Sequence, residues 1–123
     1  MNALESFCRK YAKVSLSYCN PELKKEYHRD AKRVLKEIAI ALGLKAGSYE
    51  IRSNMGGIAV GGEITLHADF LYIQIGELFD VKSFLVRSCD SRKDYTGGTN
   101  HHVKFGEVEN LFEIAQRILD KGH

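Results

Sequence analysis

Apolar residues return at helical spacing near both ends of the chain and at alternate positions between them. Leu4, Phe7, Tyr11 and Val14 recur every three or four residues while Arg9, Lys10 and Lys13 fall elsewhere, so residues 3 to 14 are expected to form a short amphipathic helix. Asn20 and Pro21 read as an N-cap and a first helical residue, where the missing proline N–H costs nothing. Beyond them Tyr27, Ala31, Val34, Leu35, Ile38 and Leu42 share one face of a second helix, and Gly43 supplies a left-handed stop. Projected at about 100° per residue, Lys25, Arg29, Lys32, Arg33 and Lys36 gather on the far side. Glu26, Asp30 and Glu37 lie along one flank of that side. Pairs within the helix, such as Glu26 with Arg29 and Asp30 with Arg33, are expected to offset part of the charge.

From Ser48 the period changes to two. Tyr49, Ile51 and Ser53 alternate with Glu50 and Arg52, which predicts a half-buried strand ending in a turn at Asn54, Met55, Gly56 and Gly57. Ile58 and Val60 open a second strand, interrupted by Gly61 and Gly62 as at a bulge and resumed over Glu63 to His67. Ala68 and Asp69 suit a tight turn. Phe70 to Ile75 makes a third strand and, after a polar interruption from Glu77 to Lys82, Ser83 to Cys89 makes a fourth. Val103 to Phe105 reads either as a short strand or as a direct lead into a last helix. There Val108, Leu111, Phe112, Ala115, Ile118 and Leu119 keep helical spacing and Gly122 ends the run. The expected order is ααββββα in a single domain over residues 1 to 123. That order describes an α+β two-layer sandwich, an antiparallel four-stranded meander with helices on one face and the other face partly open.

Between the fourth strand and the last helix lies a polar run, residues 87 to 102, longer than most connections in compact domains. Asp94, Tyr95, Thr96, Gly97 and Gly98 read as turn chemistry. Around them Arg87, Arg92, Lys93, Asp94, Tyr95, Asn100, His101 and His102 form a candidate binding surface, an aromatic among basic and amide groups.

Charge sharpens this picture. The net formal charge is only +2, yet residues 1 to 45 carry ten Lys or Arg against five Asp or Glu, and residues 46 to 90 carry three against six. A basic front of this kind suits nucleic acid or an acidic protein surface, with Lys25, Arg29, Lys32 and Lys36 as the candidate phosphate contacts. A solvated helix face rich in Lys is the commoner explanation, and the acidic flank of the second helix would repel phosphate. No uninterrupted apolar run is present, so neither a leader nor a membrane span is expected, and a cytoplasmic location follows. Cys8, Cys19 and Cys89, odd in number and widely spaced, fit reduced thiols.

The chemistry-bearing residues do not assemble into a recognised signature. His67, Cys89, His101 and His102 lack the spacing of a metal site, and His101 and His102 would point to opposite sides of any regular strand, so no metal and no cofactor is expected. A thiol or metal-dependent hydrolase at Cys89 and His101 is a minority alternative. It needs a loop that folds the histidines back onto the thiol. Gly97 and Gly98 near Arg92 and Lys93 match no phosphate-loop pattern.

Four segments, residues 48 to 54, 57 to 67, 71 to 75 and 87 to 101, resemble a group of short hypothetical proteins from bacterial prophages and other mobile elements. The run Arg92-Lys93-Asp94-Tyr95-Thr96-Gly97-Gly98 is the most distinctive part of a likeness spanning about residues 30 to 120. The resemblance implies context rather than catalytic residues: an accessory protein acting on a host defence or nucleic-acid-processing system. The leading expectation is a non-enzymatic macromolecule-binding protein, an inhibitor of anti-CRISPR type, whose partner is a protein or nucleoprotein complex of the bacterial host. A nucleic-acid-binding protein using the basic helix and the 90 to 102 loop is the alternative. A homodimer would serve to bury an uncovered apolar sheet face.

Overall fold

The computed structural model describes residues 2–14, 20–54, 63–78, 81–89 and 100–122. Three helices, α1 (Asn2–Tyr11), α2 (Pro21–Ala41) and α3 (Glu109–Gly122), accompany five strands, β1 (Tyr49–Asn54), β2 (Glu63–Ala68), β3 (Leu71–Leu78), β4 (Val81–Ser88) and β5 (Asn100–Lys104). The class is α+β, and the sheet is antiparallel throughout in the order β1-β2-β3-β4-β5.

Local signals place the helices. The Asn20 side chain accepts a hydrogen bond from the Leu23 amide at 3.0 Å, and Pro21 occupies the first turn of α2. Gly43 takes φ 77° just beyond the helix, a left-handed conformation that glycine adopts without a Cβ penalty. In the sheet, alternation decides which side is buried. Ile64 and Leu66 of β2, Ile73 and Ile75 of β3, and Phe84 and Val86 of β4 join one core with the apolar faces of all three helices. The core packs α2 over β1 and β2 and α3 over β3 to β5. Helix α1 joins through rings: Phe7 lies 5.0 Å from Tyr11, 5.7 Å from Tyr27 and 5.8 Å from Phe105, centroid to centroid.

Two expectations are corrected. The meander has five strands rather than four, because Asn100 to Lys104 pairs with β4, setting Val103 opposite Phe84. Only Val103 of β5 is buried, so this edge strand has one apolar position and too little alternation to be told from a lead-in to the helix. The polar interruption expected from Glu77 to Lys82 is shorter than that, since β3 runs to Leu78 and β4 starts at Val81, with residues 79 and 80 outside the described ones; pairing there uses backbone groups that every non-proline residue carries. The β2–β3 turn is at Asp69 and Phe70, with Phe70 at φ 73°. The expected turn at 55–57, the first half of the second strand at 58–62 and the loop over 90–99 lie outside the described residues.

Leu35 and Ile38 are fully buried at the centre of this core. Leu35→Ala or Ile38→Ala should lower unfolding free energy by about 2–5 kcal/mol in a urea titration; a loss below about 1 kcal/mol would contradict the packing of α2 on the sheet.

Candidate functional site

The outer side of α2 carries a ridge of four cations. Lys25, Arg29, Lys32 and Lys36 are all exposed and fall within about 60° of one another around the axis, a stripe about 16 Å long. Lys25, Lys32 and Lys36 have no carboxylate within salt-bridge distance among the described residues. Two members of the acidic flank beside them point another way. Glu26 and Asp30 both meet Lys10 of α1, the latter at 2.9 Å, instead of pairing along α2 as the spacing predicted. Of the expected partners, Arg29 reaches the neighbouring Asp30 only at 3.5 Å.

Asp30 is the centre of this junction. Its Oδ2 accepts from the buried Tyr11 hydroxyl at 2.6 Å and from Lys10 Nζ at 2.9 Å. Burial by itself would raise the Asp30 carboxyl, but the Tyr11 and Lys10 hydrogen bonds and the charges of Lys10 and Arg29 hold it below the ordinary value. Tyr11 is pushed up, first by burial and then by its bond to Asp30. The Lys10 ammonium is held in its charged form by hydrogen bonds to Glu26 and Asp30. A cleft of about 230 Å3 opens here between the two helices, lined by Ser6, Phe7, Lys10, Asp30, Arg33 and Val34.

The helix-free side of the sheet is the second candidate surface. The register sets Glu50, His67, Tyr72, Arg87 and Asn100 opposite one another in a single row across all five strands. Its centre is closed: Thr65, His67 and Tyr72 are only 2%, 3% and 4% exposed, although the helices lie on the other side. His67 Nε2 shares a hydrogen bond with Thr65 Oγ1 at 2.8 Å, its ring meets Tyr72 edge-on at 5.2 Å, and the Arg87 guanidinium lies 4.6 Å from the Tyr72 ring centroid. Only the margins are exposed, with Glu50 and Arg52 on β1 and Asn100, His102 and Lys104 on β5. The reason for expecting a homodimer, an uncovered apolar sheet surface, is therefore not found among the described residues.

The expected loop surface is divided by this geometry. Arg87 is stacked on Tyr72 instead of being displayed, Asn100 and His102 share the helix-free side, and His101 points to the other. Arg92, Lys93, Asp94 and Tyr95 lie outside the described residues. Cys89 is buried, its thiol donating to the Ala68 carbonyl at 3.4 Å and its amide to the Phe70 carbonyl at 3.2 Å, so it fastens the end of β4 to the β2–β3 turn. His101 lies across from Val86, three residues away along the strand and on the opposite side from Arg87, while His102 lies across from Leu85, four residues or about 13 Å from Cys89. Neither histidine is placed to take a proton from this thiol. Cys8 is buried as well, and burial pushes its thiol up to about 12. No group of three or more His, Cys, Asp or Glu able to hold a metal occurs among the described residues, and no described helix is long and apolar enough to cross a membrane.

Sequence reasoning missed the buried polar groups Lys24 and His28. In projection both fall in the arc of Ala31 and Leu35, so the signal was present but outweighed by residue type. His28 Nδ1 lies 2.6 Å from Ser53 Oγ and ties α2 to β1. No protein-family model, curated protein or solved structure matches the chain.

Because the folded Asp30 carboxyl sits below its ordinary value of 3.8, the stability it supplies is complete above that pH and is lost as pH falls through the lower folded-state value. Asp30→Asn should therefore melt below wild type at neutral pH, by a margin that is flat from about pH 5 to 8 and shrinks below about pH 4. A margin constant to pH 2 would mean that the charge of Asp30 contributes nothing.

Proposed function

We propose that this chain is a non-enzymatic protein that binds nucleic acid through the α2 ridge. The observation that carries the reading is the diversion of Glu26 and Asp30, two of the carboxylates beside the stripe, to Lys10, while Lys25, Arg29, Lys32 and Lys36 face outward. An acidic flank left alongside the stripe would repel phosphate; one held by a lysine of another helix repels it less. Such contacts seat a backbone without reading its sequence. The resemblance to prophage and mobile-element proteins gives the reading a setting, an accessory protein acting on nucleic-acid processing or defence in a bacterial host.

A second reading, docking on a host protein or nucleoprotein complex as an inhibitor of anti-CRISPR type, is favoured by β5. That strand ends the sheet with Asn100, His101, His102 and Lys104 exposed, an edge to which an extended partner segment could add.

Salt separates the two. Affinity for a labelled single-stranded oligonucleotide, measured between about 50 and 200 mM salt, should fall with a log–log slope of about −3 for four phosphate contacts. Replacing Lys32 and Lys36 with alanine should reduce that slope by about 1.5 and leave the melting temperature nearly unchanged. A slope near zero would remove the ridge from consideration. A host protein retained after nuclease treatment, and lost when Asn100 and His102 become alanine, would transfer the assignment to β5.

A further inference from the structure

We infer that the outer edge of β5 takes an acidic extended segment of a partner protein, added to the sheet as a further strand with the pattern carboxylate, apolar, carboxylate. The inference rests on the second reading above and adds to it the chemistry of the segment. β5 closes the sheet: it pairs with β4 on one side, and the described residues make no backbone hydrogen bond to its other side. Along its length only Val103 is buried, and the other four residues are exposed. Such an edge offers both amide donors and carbonyl acceptors. Another peptide strand satisfies both kinds. A nucleic-acid backbone, whose phosphates only accept, would set anionic oxygens against the carbonyls.

Side-chain chemistry selects the segment. β4 and β5 together contain Lys82, Arg87, His101, His102 and Lys104 and no carboxylate. Glu107 and Glu109, the next acids along the chain, form no ion pair with Lys104. Asn100, His102 and Lys104 share the helix-free side, and each can donate a hydrogen bond there, from an amide, an imidazole N–H and an ammonium. Carboxylates accept from all three, and from Lys104 with charge assistance. In an antiparallel addition the residues opposite Lys104 and His102 fall two apart on that side, while the one between them sits beside Val103 on the side of the helices. The pattern of the segment follows from this alternation. Lysine on an edge strand ordinarily discourages pairing, so the strand it admits is one that brings the counter-charge. A second copy of this chain does not bring it: β5 laid antiparallel on β5 sets His102 against itself and Lys104 against Asn100, with no carboxylate for either ammonium.

The test titrates the whole protein into three labelled peptides that share Ser/Thr flanks and differ at the centre, Glu-Val-Glu, Gln-Val-Gln or Lys-Val-Lys, with fluorescence anisotropy as the readout. At about 50 mM salt the Glu peptide should bind about tenfold more tightly than the Lys peptide, with the Gln peptide between them, and the spread should narrow at high salt. Lys104→Glu should reverse the order and leave the melting temperature nearly unchanged, because that side chain is exposed. Amide hydrogen exchange should slow at alternate residues of β5 when the Glu peptide is bound. Equal affinities accompanied by that protection overturn the acidic preference and spare β5 as a strand-accepting edge. Binding without protection of β5, or no binding of any peptide, overturns both. Displacement of the bound Glu peptide by an oligonucleotide at fixed salt assigns the edge to nucleic acid and overturns the inference.

Discussion

Five antiparallel strands present two sides, and side-chain alternation makes only one of them continuously apolar, so the helices must cover that side to keep Ile64, Leu66, Ile73, Ile75, Phe84 and Val86 out of water. This constraint orders the rest of the molecule. Helix α2 lies over β1 and β2 and turns its apolar arc inward, which forces Lys25, Arg29, Lys32 and Lys36 outward. With α3 over β3 to β5, α1 packs beside α2 and against Phe105 through Phe7, Tyr11 and their ring partners. The side of α2 next to α1 is where Glu26, Asp30 and Arg33 emerge.

At that seam packing and electrostatics meet. Tyr11 buries its ring in the aromatic cluster and still needs an acceptor for its hydroxyl, which Asp30 provides. Asp30, drawn partly out of water, needs a cation, which Lys10 provides. Lys10 reaches Glu26 from the same position. These contacts turn Glu26 and Asp30 toward α1, so the field presented to an anionic partner depends on an interhelical contact as well as on the composition of α2.

The helix-free side follows a different rule. His67, Tyr72 and Arg87 sit at its centre in a hydrogen-bonded and stacked row, polar but largely removed from water. Buried polar groups of this kind specify register, because a one-residue slip in any strand would send them into the apolar core and the apolar residues to the opposite side. The exposed chemistry of that side is confined to β1 and β5.

The sequence by itself determined the three helices, the alternating β1 and the buried arc of α2, because hydrophobic periodicity is a local property and the apolar residues there are dense enough to show it. Asn20 with Pro21 and Gly43 marked the ends of α2 for the same local reason. It did not determine β5, whose single buried residue gives no period, nor the burial of Lys24 and His28, whose types argue against their positions. Only the tertiary structure decided that Glu26 and Asp30 pair with Lys10, sixteen and twenty residues away, because spacing along α2 offers closer partners and says nothing of which helix packs alongside. The cleft is decided there too, since it is a space between two helices and no single stretch of chain contains it.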